Sequence, residues 1–180
     1  KEKYKFVHNR TLILQYYNIN FTNKMSLYLN SKKIIKDWTD YNGHMNVAYY
    51  VLIFDLFGAE VLMDKFNMGE ESAKKMKKST MVVESHITYN QEVKEGDEVD
   101  VNLLYFDHDK KRLQYKLEMI HKEKKFLAST IEILSLYVDL DQRKVSEFEN
   151  EKIIIMKEFI KSNSQKFKSD NLIFSNKLKK

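Results

Sequence analysis

Eleven consecutive residues, Asp40-Tyr-Asn-Gly-His-Met-Asn-Val-Ala-Tyr-Tyr50, gather a carboxylate, a glycine, an imidazole and a carboxamide directly ahead of a long apolar run. That order places reactive groups at the N-terminus of a buried helix. The first N–H groups of a helix lack acceptors within it, and partial positive charge collects there. An oxygen that gains negative charge during a reaction is stabilised at such a terminus. The segment therefore reads as the active-site stretch of a hydrolase, although a lone Asp-x-x-Gly is more often an ordinary turn.

The neighbouring elements must hold this segment in place. Asn46 suits a helix N-cap, its side-chain oxygen taking a free N–H. From Val47 to Lys65 the chain is apolar almost all round, as in an enclosed helix, and the length and lack of turn residues favour helix over paired strands. A short strand over residues 33–36 leads into the motif. A polar connection covers Asn67 to Ser79. Strands follow over Thr80–Tyr89, around Val99, Val101 and Leu103, over Leu113–Met119 and over Phe126–Val138. Glu95-Gly96-Asp97 marks one turn, and the charged stretches 107–111 and 121–125 supply the others. One buried helix followed by an antiparallel meander is an α+β fold, with the sheet wrapped on the helix.

The ends differ from the middle. Residues 1–24 are expected to be an extension outside the folded domain, with Met25 the natural start. The domain proper spans residues 25–145. Ser146-Glu-Phe-Glu149 fits a capping box opening a helix to about Ser162. Residues 163–180 form a polar, lysine-rich tail, expected to be mobile.

Composition removes whole classes of function. With 180 residues and 43% hydrophobic side chains the chain makes one domain with a real core. It contains no cysteine, which excludes disulfides, thiol nucleophiles and Cys-ligated zinc. Its four glycines, Gly43, Gly58, Gly69 and Gly96, are too scattered for a phosphate-cradling loop or a dinucleotide fingerprint. The five histidines, at 8, 44, 86, 108 and 121, show no metalloprotease spacing, and no metal site is expected. No Gly-x-Ser-x-Gly elbow occurs. The net charge of +5 comes from lysines interspersed with acids rather than striped on one face, so no nucleic-acid partner is expected. No stretch has the length of a membrane span and no signal-peptide pattern appears, so a cytoplasmic protein without a membrane partner is expected.

With these residues in view the chain resembles the hot-dog-fold acyl-CoA thioesterases related to 4-hydroxybenzoyl-CoA thioesterase, from about Ile34 to Asp141. Asp40, Gly43, His44, Asn46, Tyr50 and Asp55 match that branch's motif and central helix, and Gly96-Asp97 matches its turn. Within the branch, Asp40 to Tyr50, Tyr89-x-Gln-Glu-Val-x-Glu-Gly-Asp97, Asp109-x-Lys-Arg-Leu113 and Met119-x-His121 look like the thioesterases of carnitine catabolism, which resemble betainyl-CoA hydrolases. Relatives often carry proline near the Gly-Asp turn and after the last strand. This chain has none.

The resemblance implies that Asp40 attacks the thioester carbonyl or activates a water as general base. Gly43 lets the backbone approach substrate, helix-terminal amides polarise the thioester oxygen, and His44 orients Asp40 or the thioester. Asn46 completes the catalytic set. Asp55, unusual in so apolar a helix, must find a partner or line the pocket. A betaine acyl group would need aromatic faces and a carboxylate, for which Trp38, Tyr41, Tyr49, Tyr50 and Glu84 are candidates, core packing being the competing role for the aromatics. Lys111 and Arg112 are candidates for the coenzyme A phosphates. No cofactor is expected beyond the coenzyme A of the substrate. The resemblance also implies a homodimer or homotetramer with the site at the dimer interface. Its rivals are a non-catalytic acyl-CoA-binding protein and, further behind, a hydratase or dehydratase of the same fold.

Overall fold

The computed structural model describes residues 26–179. The expected extension over residues 1–24, and Met25, lie outside the described residues. Strand β1 (Leu27–Lys33) ends where Ile34 exchanges backbone hydrogen bonds with the Gly96-Asp97 turn, at 2.8 and 2.9 Å. Beyond that point the chain leaves the sheet. The strand expected over residues 33–36 therefore lies earlier, and Lys36–Trp38 forms a single 3-10 turn.

The apolar run folds as one helical course with a change of pitch in the middle. Helix α1 (Val47–Phe54) passes into a π turn (Asp55–Ala59) and then α2 (Glu60–Lys65). The wide turn falls where the helix approaches the sheet most closely. A Cβ on Gly58 would come within 2.6 Å of Leu117 Cδ1 and 3.1 Å of Val101 Cγ1. Only a hydrogen at that position lets the helix lie this close.

Residues 67–79, expected as a polar connection, contain a further helix, α3 (Glu70–Met76). It has Glu70 and Glu71 in its first turn and Lys74 and Lys75 in its last, the arrangement favoured by the helix dipole. It buries no residue, so it leaves no apolar periodicity to be read.

The strands β2 (Lys78–Tyr89), β3 (Glu98–His108), β4 (Arg112–His121) and β5 (Leu127–Asp139) join β1 in one antiparallel sheet of order β1-β3-β4-β5-β2, with the short β6 (Lys144–Val145) added to β5. Its inner face carries Val99, Val101 and Leu103 on β3, Leu113, Tyr115, Leu117 and Met119 on β4, and Ile131 and Ile133 on β5. These pack on Ile53, Phe54 and Leu62 of the helix, all buried completely. The sheet wrapped on a central helix is the fold that the hot-dog resemblance implies. No helix among the described residues is long and apolar enough to cross a membrane.

Two expectations at the C-terminus are corrected. The last helix, α4 (Asn150–Asn163), opens after Glu149 rather than Ser146. Ser146 and Phe148 are still held to the sheet region, through Ser146 N–H to Tyr137 O and Phe148 N–H to Lys110 O, both at 2.9 Å. Nor is the tail loose: its described part crosses the outer face of the sheet. Lys168 N–H donates to Leu104 O, while the amides of Ile173 and Phe174 both donate to the buried Glu132 carboxylate at 2.8 Å. Phe167 and Phe174 are buried. Two apolar anchors and a carboxylate that would otherwise be buried with too few donors explain why a lysine-rich segment packs.

Gly58→Ala is expected to destabilise the fold by about 1–3 kcal/mol, because the added methyl overpacks a fully buried contact. Chemical denaturation measures this directly; an unchanged midpoint would mean that the helix and sheet are not in contact there.

Candidate active site

The motif is a short loop tied down on three sides. Asp40 N–H donates to His44 O at 2.9 Å, Gly43 N–H donates to Asp40 O at 3.0 Å, and Asn42 N–H donates to Asp40 Oδ1 at 2.8 Å. Closing so small a loop needs one residue in the left-handed region, which Gly43 supplies at φ +77°. Met45 N–H then donates to Val93 O at 2.8 Å and Asn46 N–H to Trp38 O at 2.9 Å. These two bonds join the loop to the segment after β2 and to the 3-10 turn before it. Asn46 caps α1, its Oδ1 accepting from Ala48 N–H at 3.0 Å. Asn46 also carries the chain's turn into the helix, so its place in the motif has a structural reason apart from any contact with substrate.

The loop, the helix start and the end of β2 enclose a cleft of about 360 Å³. Asp40, His44, Val47, Tyr50, Tyr89 and Glu92 line it, with Met45, Asn90 and Gln91 completing the wall. One oxygen of Asp40 is held by Asn42, and Oδ2 has no donor among the described residues. Val47 opens α1, and its N–H has no acceptor among the described residues. The Asp40 carboxylate and the first residue of the helix, whose amide has no acceptor among the described residues, thus border one cleft. His44 Nε2 lies 3.0 Å from Glu92 Oε2, and Lys94 Nζ lies 3.3 Å from the other oxygen of the same carboxylate. Tyr50 packs edge-on against Tyr89 with ring centroids 5.3 Å apart. Burial pushes the Tyr50 phenol above its ordinary pKa, against a backbone hydrogen bond from Val93. The cleft can therefore combine a carboxylate, an imidazole with a fixed partner, and an amide donor.

The structure separates the other candidates. Trp38 and Tyr49 stack on each other at 5.7 Å away from the cleft lining, and the Lys32 ammonium lies over the rings of Trp38 and Phe57 at 5.5 and 4.8 Å. Tyr41 is 97% exposed at the tip of the loop. Glu84 sits at a register position of the outer sheet face, opposite Leu134, where Lys177 pairs with it at 3.2 Å. Lys111 pairs with Glu147 at 3.6 Å, and Arg112 with Asp109 at 3.3 Å and with the carbonyl of Lys177.

Asp55 borders a second pocket of about 380 Å³, between the π turn and the start of β2, with Ala59, Met63, Ser79, Thr80 and Tyr115. Its carboxyl is pushed above the ordinary range by burial. Glu92, Tyr89 and Val47 are cleft residues that reading the motif left unassigned. The signal for Glu92 and Tyr89 was present in the Tyr89-x-Gln-Glu stretch, but only backbone pairing between two distant segments brings it beside His44.

Comparison with known proteins follows the same lines. Residues 35–160 match the Thioesterase-like superfamily. A betainyl-CoA thioesterase of Pseudomonas aeruginosa is 30% identical over 118 residues, covering 66% of this chain and 74% of that protein. A Staphylococcus aureus protein solved in complex with CoA is 25% identical, with a TM-score of 0.66 over 78% of this chain and 89% of its own. A DHNA-CoA thioesterase of Staphylococcus aureus has a TM-score of 0.69 at 17% identity, over 77% and 95% of the two chains, and shares the fold.

The Gly96-Asp97 turn backs the segment that carries Glu92, and its carboxylate titrates accordingly. Burial alone would raise Asp97, but Lys94 N–H, His121 and Lys124 together hold it below the ordinary carboxylate range. A carboxyl lowered by folding stabilises the protein above its unfolded pKa of about 3.9, and that contribution is lost as pH falls through the lower folded value. Asp97→Asn is therefore expected to lower the melting temperature at neutral pH, with the gap from wild type closing below about pH 4. Thermal melts across that range measure the gap; one that widens toward acid would contradict the assigned interactions.

Proposed function

The chain belongs to the thioesterase-like superfamily, and from that premise we propose that it hydrolyses a small cationic acyl-CoA, betainyl-CoA foremost, at sites built by two copies of the chain. The observation that carries the reading is the one cleft bordered by both Asp40 and Val47, the first residue of the helix, whose N–H has no acceptor among the described residues. Asp40 Oδ2 attacks the thioester carbonyl carbon, and the carbonyl oxygen gains charge beside the helix terminus. One well-placed donor of this kind lowers the barrier by roughly 3 kcal/mol. The electron pair of the C–S bond leaves on the sulfur of coenzyme A. Water then attacks the acyl carbon of the mixed anhydride formed on Asp40, which releases the free acid and restores the Asp40 carboxylate. Direct attack is favoured over general base action because the cleft already holds an imidazole that can serve the water.

The dimer is supported by β2. Twelve residues long, it pairs with β5 on one side and with no strand on the other among the described residues. Met81, Val82 and Val83 are exposed along it. Such an edge is a template for another strand. Two-fold antiparallel pairing of β2 with its copy sets the Tyr89 end of one chain beside the Ser79 end of the other. The Asp40 cleft borders the first end and the Asp55 pocket the second. Each cleft then meets the pocket of the partner's Asp55, and the two together hold one acyl-CoA.

That pocket favours a cation. Glu60, Asp64 and Glu70 border it along with Asp55, in a chain whose net charge is +5. A quaternary ammonium there gives Asp55 the counter-ion that it lacks among the described residues and meets the Tyr115 ring at the same wall. Asp55 rather than Glu84 then supplies the charge. The sequence likeness to a betainyl-CoA thioesterase supports the same acyl group.

Thiol release from a panel of CoA thioesters, measured for wild type and Asp40→Asn, tests the reading. Turnover greatest on betainyl-CoA, falling at least ~10³-fold in the variant, is expected. Turnover only on uncharged acyl groups would remove the cationic assignment, and equal turnover by the variant would remove Asp40 from the chemistry. Binding of CoA esters without any thiol release would make the chain a binding protein.

A further inference from the structure

Glu92 is not needed to hold the fold together. Its carboxylate is half exposed, and ion pairs in such settings contribute little to stability because water screens them and long side chains lose freedom. Its position is nonetheless dictated. The Met45 N–H to Val93 O bond sets the motif loop antiparallel to residues 92–94, and His44 pairs opposite Lys94 in the same short ladder. The backbone thus brings the carboxylate of Glu92 to 3.0 Å from Nε2 of His44, inside the cleft that Asp40 lines. The other charged groups facing this pair are Lys94, which shares the Glu92 carboxylate, and Asp40.

We propose that Glu92 is a positioning residue for the second half of the reaction: it accepts the Nε2 proton of His44 in a hydrogen bond and so leaves Nδ1 as the proton acceptor for the hydrolytic water. An imidazole whose one nitrogen donates to a carboxylate presents the other as an acceptor, and a base oriented by a third group is the recurrent arrangement at hydrolytic sites. The inference rests on the reading of Asp40 as nucleophile. In the step concerned, the water oxygen bonds the acyl carbon and the bond from that carbon to the Asp40 oxygen breaks. Asp40 keeps the electron pair and is again a carboxylate. One water proton passes to Nδ1 and later returns to solvent or to the thiolate of coenzyme A. No other reactant is required. Lys94 Nζ, 3.3 Å from the other oxygen, holds the Glu92 carboxylate turned toward the imidazole.

Rapid-mixing thiol release by Glu92→Ala, Glu92→Asp, His44→Ala and the double variant tests this. Glu92→Ala is expected to release one thiol per site at near the wild-type rate and then turn over roughly 10–100-fold more slowly, with Glu92→Asp recovering part of the loss. The double variant is expected to be no slower than His44→Ala alone, because Glu92 acts only through the imidazole. Melting temperatures close to wild type would accompany these rates. A slow first release, a steady-state rate unchanged from wild type, or losses that add in the double variant would each overturn the role of Glu92. Asp40→Asn separates the two readings: rapid thiol release by that variant defeats the nucleophile itself, whereas its silence together with an unaffected Glu92→Ala defeats only the positioning role.

Discussion

The place where the buried helix begins controls the rest of the molecule. A helix enclosed by a sheet cannot leave its first N–H groups without partners unless solvent or a ligand reaches them. Here Asn46 Oδ1 takes the N–H of Ala48, and the backbone bonds of Met45 and Asn46 fix the entry from two sides. The N–H of Val47 is left beside the Asp40 cleft. Gly58 fixes the same helix lengthwise, since the close approach to Leu117 and Val101 allows little sliding. The terminus and the carboxylate are therefore held by packing on one side and by backbone hydrogen bonds on the other, without reliance on long, mobile side chains.

That division explains what could be read from the sequence. The motif, the N-cap and the enclosed helix are local, so Asp40, Gly43, His44 and Asn46 emerge together from adjacent residues and the expected helix limits of 47 and 65 match the observed course. The strands carried alternating patterns and turn signals. Helix α3 lay hidden because it buries nothing. The capping box at Ser146 gave way to pairing with the sheet, and the tail's composition concealed Phe167 and Phe174, whose burial decides its course. At the site, the candidates that lie away from the Asp40 cleft were those chosen by residue type alone. Trp38 and Tyr49 pack on each other, with the Lys32 ammonium over Trp38, and Glu84 falls on the opposite face because β2 carries a bulge between Val82 and Glu84. Glu92 needed the reverse step, from a backbone pairing between segments almost fifty residues apart in sequence to a side-chain contact.

The wall of Asp40 and the pocket of Asp55 lie at opposite ends of one exposed edge strand. On the proposed reading neither is complete in a single chain: one has reactive groups without a place for the acyl end, and the other has charge without chemistry. The proposed pairing of two edges would supply both at once and would also cover Met81, Val82 and Val83, so the contact that removes an unpaired edge would assemble the site. Charge follows this arrangement. The lysines are spread over the surface, while the acids converge on the pocket that the acyl group would enter.

Subunit complementation tests this composite site most directly. In the proposed homodimer Asp40→Asn and Asp55→Ala would each disable both sites, but a mixed dimer would keep one site with Asp40 and the partner's Asp55 intact. Refolding the two inactive proteins together is expected to restore betainyl-CoA hydrolysis to about a quarter of the wild-type rate, from half the dimers carrying one good site each. If the mixture stays as inactive as its components, Asp40 and Asp55 do not meet across two chains and the account of the site is wrong.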